Sequence, residues 1–463
     1  MLATFEHEIP YKSLPINFQD AISITRRLGF QYLWIDCLCI LQDSKRDWEQ
    51  ESTKMGLVYR NSTVTISAIS SPGSTHGILK DAPNAAPNPK PTVMRVFEGD
   101  GQHVEIMVER QDVEEEDMRG LQLQGPLEKR GWTLQESRLS PRHLYYGTRQ
   151  IYWRCPQGYE SADDTPLGNK FPEDTYDQLS PVLYSDILRQ PRSEACDVGA
   201  LLLDYYSLVN EYSHRKLTFD SDKLPAFSGL AQRLHPALGG DYLAGLWSSD
   251  LNNGLLWYNE MRTCRHVRSY RAPSWSWAVT NEPVITPTSL TQPGPLDLQL
   301  VEHDIIPQDR GNPYGQIVSG HLIVSALVMP LARSKQVVDS YLADDTMGLV
   351  HFDEPKEEGE AASGGYSLSL VNSDEGMYFL SILFRFGRCS VWEIDFESYY
   401  PEKYTALIVH VSESSLQGLV LRRVSDRSDG AYERVGYFET FAGEAEGLLK
   451  YVQGLKRQTL KLV

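Results

Sequence analysis

Trp132 and Glu136 are the two residues whose types and spacing best suit chemistry in this sequence. They lie four residues apart in the stretch RGWTLQE, which predicts the start of a helix, so both side chains fall on one helical face. A carboxylate beside an indole in a cleft is expected to have a raised pKa or to grip the hydroxyls of a ribose. Either property suits cleavage of a glycosidic bond through an oxocarbenium-like state. The alternative is structural: Glu136 pairs with Arg130, Arg138 or Arg142.

Asp36 is the second candidate, because it interrupts the almost continuously apolar run YLWIDCLCIL at residues 32–41. Such a run predicts a strand that is buried on both faces. A carboxylate buried there is costly unless it is paired or hydrogen-bonded. If the carboxyl end of this strand lines a crevice, Asp36 lies where α/β sheets bind their ligands. Otherwise it caps a neighbouring helix or pairs with an arginine.

Arg130 and Arg142 flank the predicted Trp–Glu helix. Each would hold a phosphate through two parallel hydrogen bonds, or would form an ordinary ion pair. We therefore predict Glu136 as the catalytic residue, with a binding set of Trp132, Asp36, Arg130 and Arg142. The sequence has no GxSxG, no GxGxxG after its first predicted strand, and no His/Cys/Asp group with metal-ligand spacing, so we predict no metal and no cofactor.

The formal net charge of −18 makes nucleic acid an unexpected partner, because an acidic chain repels phosphate backbones. The six cysteines are scattered without a CxxC pair, which favours reduced thiols, and we expect Cys37 and Cys39 to be buried. The first residues lack the features of a signal peptide, and no apolar run is long enough to span a bilayer. A cytoplasmic location is the resulting expectation.

The first part of the chain alternates predicted helices and strands. A helix begins at Asn17 and ends before Gly29, and a second begins at Asp43 or Ser44. Strands are predicted at 32–41, 64–69 and 104–108, and a hairpin joins 144–146 to 150–154. A strand–helix–strand order with short links implies a parallel sheet with a right-handed crossover.

Later parts of the chain change character. Helices are predicted at 197–213 and 224–235, and the tryptophans of SWSW are expected in a core or as an interdomain wedge. Beyond the Pro-rich link 286–295 the period becomes two, with strands at 320–328, 378–386, 390–396, 405–411, 419–424 and 433–438, followed by a helix at 443–455. We predict an α+β multidomain chain with an α/β parallel-sheet module at 1–160, a mainly helical region at 161–285, and an antiparallel β sandwich or barrel at 296–463.

The stretch LWIDCLCILQD, with the DW, M, VY and TISA that follow it, closely resembles the core of the HET domain, named for heterokaryon incompatibility in filamentous fungi. RGWTLQESRLSPRHLYYGTRQIYWRC resembles the second HET block, and LPAFSGLAQRL, YLAGLW and YRAPSWSWA resemble segments that follow the domain in many members. The strand block "ALSYxWG" that usually opens HET domains is not matched by MLATFEHEIPYKS.

This resemblance implies a protein of fungal non-self recognition and programmed cell death, with a fold distantly similar to TIR domains. Some TIR domains cleave NAD with a helix carrying Trp-Cys-x-x-Glu, and Trp132 and Glu136 keep that spacing, with Thr133 at the Cys position. The resemblance thus implies a nucleotide ligand such as NAD. Two alternatives stay open: a non-catalytic module that binds itself or another signalling protein, and a family member recruited as a biosynthetic small-molecule enzyme.

Overall fold

The computed structural model describes residues 8–79, 92–97, 103–108, 118–156, 158–162, 197–259, 269–334, 349–352, 367–370, 404–412, 415–425, 427–439 and 452–463. The chain divides into two compact units. The front unit comprises Met1–Leu188 and Ala226–Leu230, and the rear unit comprises Arg189–Pro225 and Ala231–Val463. The three-domain division stays a prediction. Helices and sheets are mixed in the chain, as predicted for an α+β protein.

The front unit holds five helices and six strands among its described residues. The helices are α1 (Ile16–Arg27), α2 (Asp36–Cys39), α3 (Lys45–Asn61), α4 (Met118–Gln124) and α5 (Thr133–Leu139). The strands are β1 (Thr65–Ser67), β2 (Thr92–Phe97), β3 (His103–Val108), β4 (His143–Tyr146), β5 (Ile151–Cys155) and β6 (Gly158–Ser161).

Local signals set the limits of α1 and α3 as predicted. Gly29 follows α1 with a φ of 81°, a left-handed conformation that glycine adopts at little cost. Ser44 caps α3, because its hydroxyl accepts a hydrogen bond from the Asp47 amide at 3.2 Å. The start of α1 differs from the prediction: its N-cap is Pro15, which makes no side-chain capping hydrogen bond, and the predicted first residue Asn17 lies inside the helix.

The strand predicted at 32–41 is wrong. These residues form an extended segment and the short helix α2, and Tyr32 is 89% exposed. Asp36 begins α2, and its Oδ1 accepts the Cys37 amide at 2.7 Å, so the chain turns where the prediction continues straight. Cys37 and Cys39 are exposed free thiols rather than buried ones. The apolar run is therefore no central strand, and the TIR-like arrangement predicted for this module is not confirmed.

Strands β1, β4, β5 and β6 form the sheet of the front unit in that order. Only β1 and β4 are parallel, with Ile66 opposite Leu144, and the predicted hairpin of β4 and β5 is antiparallel. One face of the sheet contributes Tyr145 and Tyr152 to a buried cluster with Ile69. The predicted parallel sheet is thus replaced by a mostly antiparallel one.

Glycine allows a close backbone approach at α3. A Cβ placed on Gly56 would lie 2.8 Å from the Gly229 Cα, and also 3.3 Å from a methyl of Leu139 in α5. The contact leaves no room for a side chain at Gly56. The backbone of α3 therefore packs directly against the backbone at Gly229, which belongs to the same unit.

The rear unit begins with helices and short hairpins. Its helices are α6 (Val198–Ser213), α7 (Pro225–Leu238), of which 226–230 belong to the front unit, and α8 (Leu251–Leu255). Its short strands are β7 (Tyr242–Leu243), β8 (Leu246–Trp247), β9 (Tyr258–Asn259) and β10 (Val284–Ile285). Helices α6 and α7 confirm the two predicted near 197–213 and 224–235.

Four tryptophans fill the interior of the rear unit, namely Trp247, Trp257, Trp275 and Trp277, each no more than 1% exposed. Gly245, in the turn between β7 and β8, has a φ of 99°, and a Cβ there would lie 2.6 Å from the Trp277 Nε1. The Gly245 carbonyl accepts hydrogen bonds from the Trp277 indole at 2.7 Å and from the Tyr205 hydroxyl at 2.8 Å. The tryptophans of SWSW are therefore core residues, one of the two roles predicted for them.

Eight strands form the main sheet of the rear unit: β11 (Gln299–Pro307), β12 (Ile317–Ser334), β13 (Leu349–Phe352), β14 (Ser367–Leu370), β15 (Tyr404–Val411), β16 (Leu416–Arg423), β17 (Tyr432–Glu439) and β18 (Arg457–Leu462). Strands β12, β15, β16 and β17 pair in sequence order, and β18 pairs with both β12 and β17. The pairings of these five strands thus run in a closed circuit, as in a barrel rather than two separate sheets.

Several predictions for this region have a clear outcome. The predicted strands at 320–328, 405–411, 419–424 and 433–438 are confirmed within β12, β15, β16 and β17. The strands predicted at 378–386 and 390–396, and most of the helix predicted at 443–455, lie outside the described residues. Strand β18 was not predicted. No helix in the described part of the chain combines the length and the apolar character that crossing a bilayer requires.

Candidate functional site

Tyr59, in the last turn of α3, is the point at which three of the predicted site residues act together. Its hydroxyl is hydrogen-bonded to the Glu136 carboxylate, with the carboxylate of Asp36 and the guanidinium of Arg130 close enough to influence it. Burial raises the pKa of Tyr59 well above its ordinary value, and the charges of Glu136 and Asp36 raise it further, whereas Arg130 opposes them. The phenol therefore stays protonated and donates its hydrogen bond to Glu136.

Glu136 is placed by the start of α5. It occupies the first turn of that helix, where the amide dipoles favour negative charge, and its side chain is half-buried. The Thr133 hydroxyl donates to the Arg130 carbonyl at 2.7 Å, which fixes the turn that leads into the helix. Glu136 is thus neither fully enclosed nor fully exposed.

Two pairs of aromatic rings involve these residues or their neighbours. The Trp132 indole meets Trp48 of α3 edge to face, with ring centroids 6.1 Å apart, and Trp34 meets the Tyr59 ring in the same manner at 5.6 Å. Trp48 and Tyr59 are 11 residues apart on one helix, which places them on the same face after three turns. We call Trp34, Asp36, Trp48, Tyr59, Arg130, Trp132 and Glu136 the Tyr59 cluster.

Four of these seven residues were predicted as site residues from the sequence, namely Asp36, Arg130, Trp132 and Glu136. Trp34, Trp48 and Tyr59 were not. The 11-residue spacing of Trp48 and Tyr59 was an available signal, because it places two large aromatic residues on one face of a predicted helix.

Asp36 belongs to the cluster, although not in the predicted way. It is exposed at the start of α2 instead of lying at the end of a buried strand. Its acidic charge nevertheless acts on Tyr59, and α2 gives it a fixed position. Asp36 is thus a second, solvent-facing carboxylate near Glu136, and the expected desolvation cost does not arise.

Arg142 is not among the charged groups that act on Tyr59. It is exposed just before β4, and its Nη1 donates to the Thr63 carbonyl at 3.5 Å. Arg142 therefore contacts the segment before β1, and a direct part in the Tyr59 cluster is left without support.

Two reactive side chains of the front unit are poorly placed for catalysis. His143 is fully buried and stacks on Tyr145 with ring centroids 5.0 Å apart, and its burial holds the pKa well below the ordinary histidine value. The exposed Cys37 has a raised pKa, through partial burial and the nearby Asp36 charge, which disfavours its thiolate. Neither group offers a nucleophile for the cluster.

The Tyr59 cluster combines a half-buried carboxylate, an exposed carboxylate, a phenol donor, a cation and the edges of several aromatic rings. Such a set can hydrogen-bond hydroxyl groups, pair with a negatively charged group and pack against a flat ring. Among the residues that the structure describes, no three His, Cys, Asp or Glu side chains are grouped as metal ligands.

Residues 3–136 match the family model of the heterokaryon incompatibility protein (HET), which identifies a HET domain in this part of the chain. The matched segment contains every residue of the Tyr59 cluster. Neither a curated protein nor a solved structure matches the chain.

Proposed function

We propose that the HET domain of this chain binds and cleaves a nicotinamide-type dinucleotide such as NAD at the Tyr59 cluster, as part of fungal non-self recognition and cell death. The observation that carries this proposal is the hydrogen bond between Tyr59 and Glu136, with Asp36 and Arg130 close by. A half-buried carboxylate oriented by a phenol is suited to interact with ribose hydroxyls, and the arginine with a pyrophosphate.

Glu136 would act on the glycosidic bond between nicotinamide and ribose. As that bond breaks, its electron pair leaves with nicotinamide, and positive charge develops on the ribose ring. The Glu136 carboxylate stabilises this charge, and water then adds to the ribose carbon while its proton goes to solvent. Trp132 and Trp48 offer flat surfaces to the rings of the substrate.

The test is release of nicotinamide by the full chain. Purified protein is incubated with millimolar NAD, and nicotinamide and ADP-ribose are quantified by chromatography for wild type and Glu136→Gln. Glu136→Gln keeps the shape of the side chain but removes the charge, and we expect at least ~100-fold slower release, as is typical of losing a catalytic acid or base.

Glu51→Gln is the matched control. Glu51 also lies in the front unit, but it pairs with Lys54 at 2.6 Å on the surface of α3. This variant is expected to release nicotinamide at the wild-type rate. No release by wild type after prolonged incubation, or equal release by Glu136→Gln, would exclude Glu136 as the catalytic residue.

A non-catalytic interaction module is the second candidate, and exposed apolar side chains favour it. Phe30 is 38% exposed and Tyr32 is 89% exposed, both between α1 and α2. Sedimentation velocity of wild type and Tyr32→Ser would test self-association through this segment, with Phe219→Ser, at a residue 66% exposed in the rear unit, as the control. A wild type that sediments as a monomer at all concentrations argues against this candidate.

A further inference from the structure

Two buried cations lie near each other in the rear unit. Lys223, directly after the 3-10 turn Asp220–Asp222, is 1% exposed, and Arg271 is 6% exposed. Burial, and to a lesser extent the nearby charge of Arg271, lowers the pKa of the Lys223 ammonium to about 7. Neither residue belongs to the Tyr59 cluster, which is in the front unit.

Lys223 has aromatic neighbours. Its Nζ lies 5.1 Å from the ring centroid of Tyr212 and 6.0 Å from that of Trp277. The ring faces attract a cation weakly, and they do not neutralise its charge. The Lys223 carbonyl accepts the Tyr212 hydroxyl at 2.7 Å, so the backbone at this residue is fixed against α6.

Arg271 is only partly satisfied. Its Nε donates to the Ala278 carbonyl at 2.6 Å, and its Nη1 donates to the Asp220 carbonyl at 3.1 Å and to the Asn281 Oδ1 at 2.7 Å. Its Nη2 is buried and has no hydrogen-bond partner in the described part of the chain. The guanidinium is thus held at Nε and Nη1, and its Nη2 is a preformed hydrogen-bond donor for the oxygen of a ligand.

The carboxylates nearby do not balance the two cations. Asp220 Oδ1 lies 3.8 Å from Arg271 Nη1, but its side chain is 47% exposed and it also accepts a hydrogen bond from the Asn281 amide at 2.7 Å. The charges of Asp220 and Glu282 act on the Lys223 ammonium less than burial and the charge of Arg271 do. The buried Asp222 acts on the neighbouring Tyr212. Because a buried charge without a partner is costly, this arrangement favours an additional anion.

We propose that Lys223 and Arg271 form a binding site for a small oxyanion, either a carboxylate or a tetrahedral phosphate-type group carried by a larger molecule. Arg271 Nη2 would donate to one oxygen, and the Lys223 ammonium would supply the second charge. Tyr212 and Trp277 would form the aromatic wall of the site. The proposal does not depend on catalysis at Glu136.

Calorimetric titration of the full chain with sulfate and with acetate tests the site, with sodium chloride added to hold the ionic strength constant. The sulfate arm represents a tetrahedral group, and the acetate arm represents a carboxylate. We expect saturable binding of at least one of these anions by wild type at pH 6. Lys223→Met and Arg271→Met should each weaken it by at least ~10-fold, because each removes one charged donor.

Lys461→Met is the matched control, because Lys461 pairs with Asp429 at 3.0 Å on the sheet of the same unit. This variant should bind the anion as wild type does. Equal binding by wild type and both site variants, or no saturable binding by wild type, would overturn the proposal.

A second measurement needs only wild type and therefore holds if a variant fails to fold. Burial lowers the pKa of Lys223 to about 7, so the anion should lose its ammonium partner above that pH. Sulfate and acetate keep a constant charge between pH 7 and pH 9, and the Kd is expected to rise ~10-fold per pH unit over this range. A Kd that is independent of pH would exclude Lys223 from the site.

Discussion

The Tyr59 cluster of the front unit and the Lys223–Arg271 pair of the rear unit differ in how far their charged side chains are exposed to water. Glu136 is half-buried and Asp36 and Arg130 are exposed, so water shields much of the charge in the front unit. Lys223 and Arg271 are both less than 10% exposed, and Lys223 lies next to the rings of Tyr212 and Trp277. Charged side chains in the front cluster therefore cost little free energy. In the rear pair the buried charges are costly, and the cost falls if Lys223 loses its proton or an anion binds.

The same contrast holds for the tryptophans. Trp48 and Trp132 of the front unit meet edge to face and remain partly accessible, as suits a surface for a ligand. Trp277 of the rear unit is 1% exposed and is held by a hydrogen bond to the Gly245 carbonyl, as suits a core. The same residue type is thus partly exposed in the front unit and fully buried in the rear unit.

Replacing one tryptophan in each region tests this contrast and should give the largest effect. We expect Trp277→Ala to destabilise the rear unit by ~3–5 kcal/mol, because it leaves a large cavity and an unpartnered carbonyl. Trp132→Ala should cost less than half of that, since Trp132 is only partly buried. Urea unfolding followed by circular dichroism measures both, and equal losses would show that the front cluster is a core.

The two regions should also differ in how the free energy of unfolding depends on pH. Because the pKa of Lys223 falls from 10.5 to about 7 on folding, the cost of its buried charge is fully present below pH 7 and fades between pH 7 and pH 10.5. We therefore expect Lys223→Met to be more stable than wild type at pH 6, by on the order of 2 kcal/mol or more, and to approach wild type near pH 10.

The control for that experiment is Lys54→Met, at a front-unit lysine whose side chain is 56% exposed beside Glu51. Its effect should be small and nearly independent of pH, as for other surface ion pairs. The unfolding curves are measured in chloride buffers, so that no oxyanion masks the cost of the buried ammonium. A pH-independent difference for Lys223→Met would mean that its charge is already balanced.

Local sequence signals account for the parts of the fold that were predicted. The glycine after α1, the serine cap of α3, and the alternating residues of the β4–β5 hairpin each act within a few neighbouring residues. Such signals do not depend on the rest of the fold. The run at 32–41 failed for the opposite reason: apolar residues without a clear period fit a strand, a turn or a short helix, and only packing decides among them.

The residues of the candidate sites could likewise be predicted from the sequence only where local signals were sufficient. The Trp132–Glu136 spacing was visible because both residues lie in one turn, but the contact of Glu136 with Tyr59 joins distant parts of the sequence. Lys223 follows three polar residues in FDSDK, a stretch that is typical of solvated turns, and its burial against Tyr212 depends on tertiary packing. The sequence shows which residues are charged and how they are spaced, but the burial of a charge depends on tertiary packing.

His143 tests whether burial shifts the pKa of a side chain in the front unit as it does in the rear unit. This histidine is fully buried in the front unit, and its pKa is held well below 6.5. The unfolded chain therefore takes up a proton below pH 6.5 that the folded chain does not, and wild type should lose ~1.4 kcal/mol per pH unit from this group as the pH falls.

His143→Phe should remove this acid sensitivity, although losing the 3.3 Å contact with the Ser67 hydroxyl lowers its stability at pH 7.5. His76→Phe, at an exposed histidine of the same unit, serves as the control and should keep the wild-type pH profile. Unfolding free energies at several values between pH 5 and pH 7.5 decide the matter. An unchanged slope for His143→Phe would place the acid-sensitive group elsewhere.

Tyr59→Phe is expected to have the smallest effect and examines the front cluster itself. The substitution removes one hydroxyl that donates to the half-buried Glu136 carboxylate, so we expect a loss of ~0.5–1.5 kcal/mol in unfolding free energy. Water can replace the lost donor at a carboxylate that is not sealed. Tyr32→Phe removes a hydroxyl from a residue that is 89% exposed and should change nothing. A loss above ~3 kcal/mol for Tyr59→Phe would mean that Glu136 is left as a buried, unpaired charge. The front cluster would then resemble the rear pair, and the contrast between the two regions would not hold.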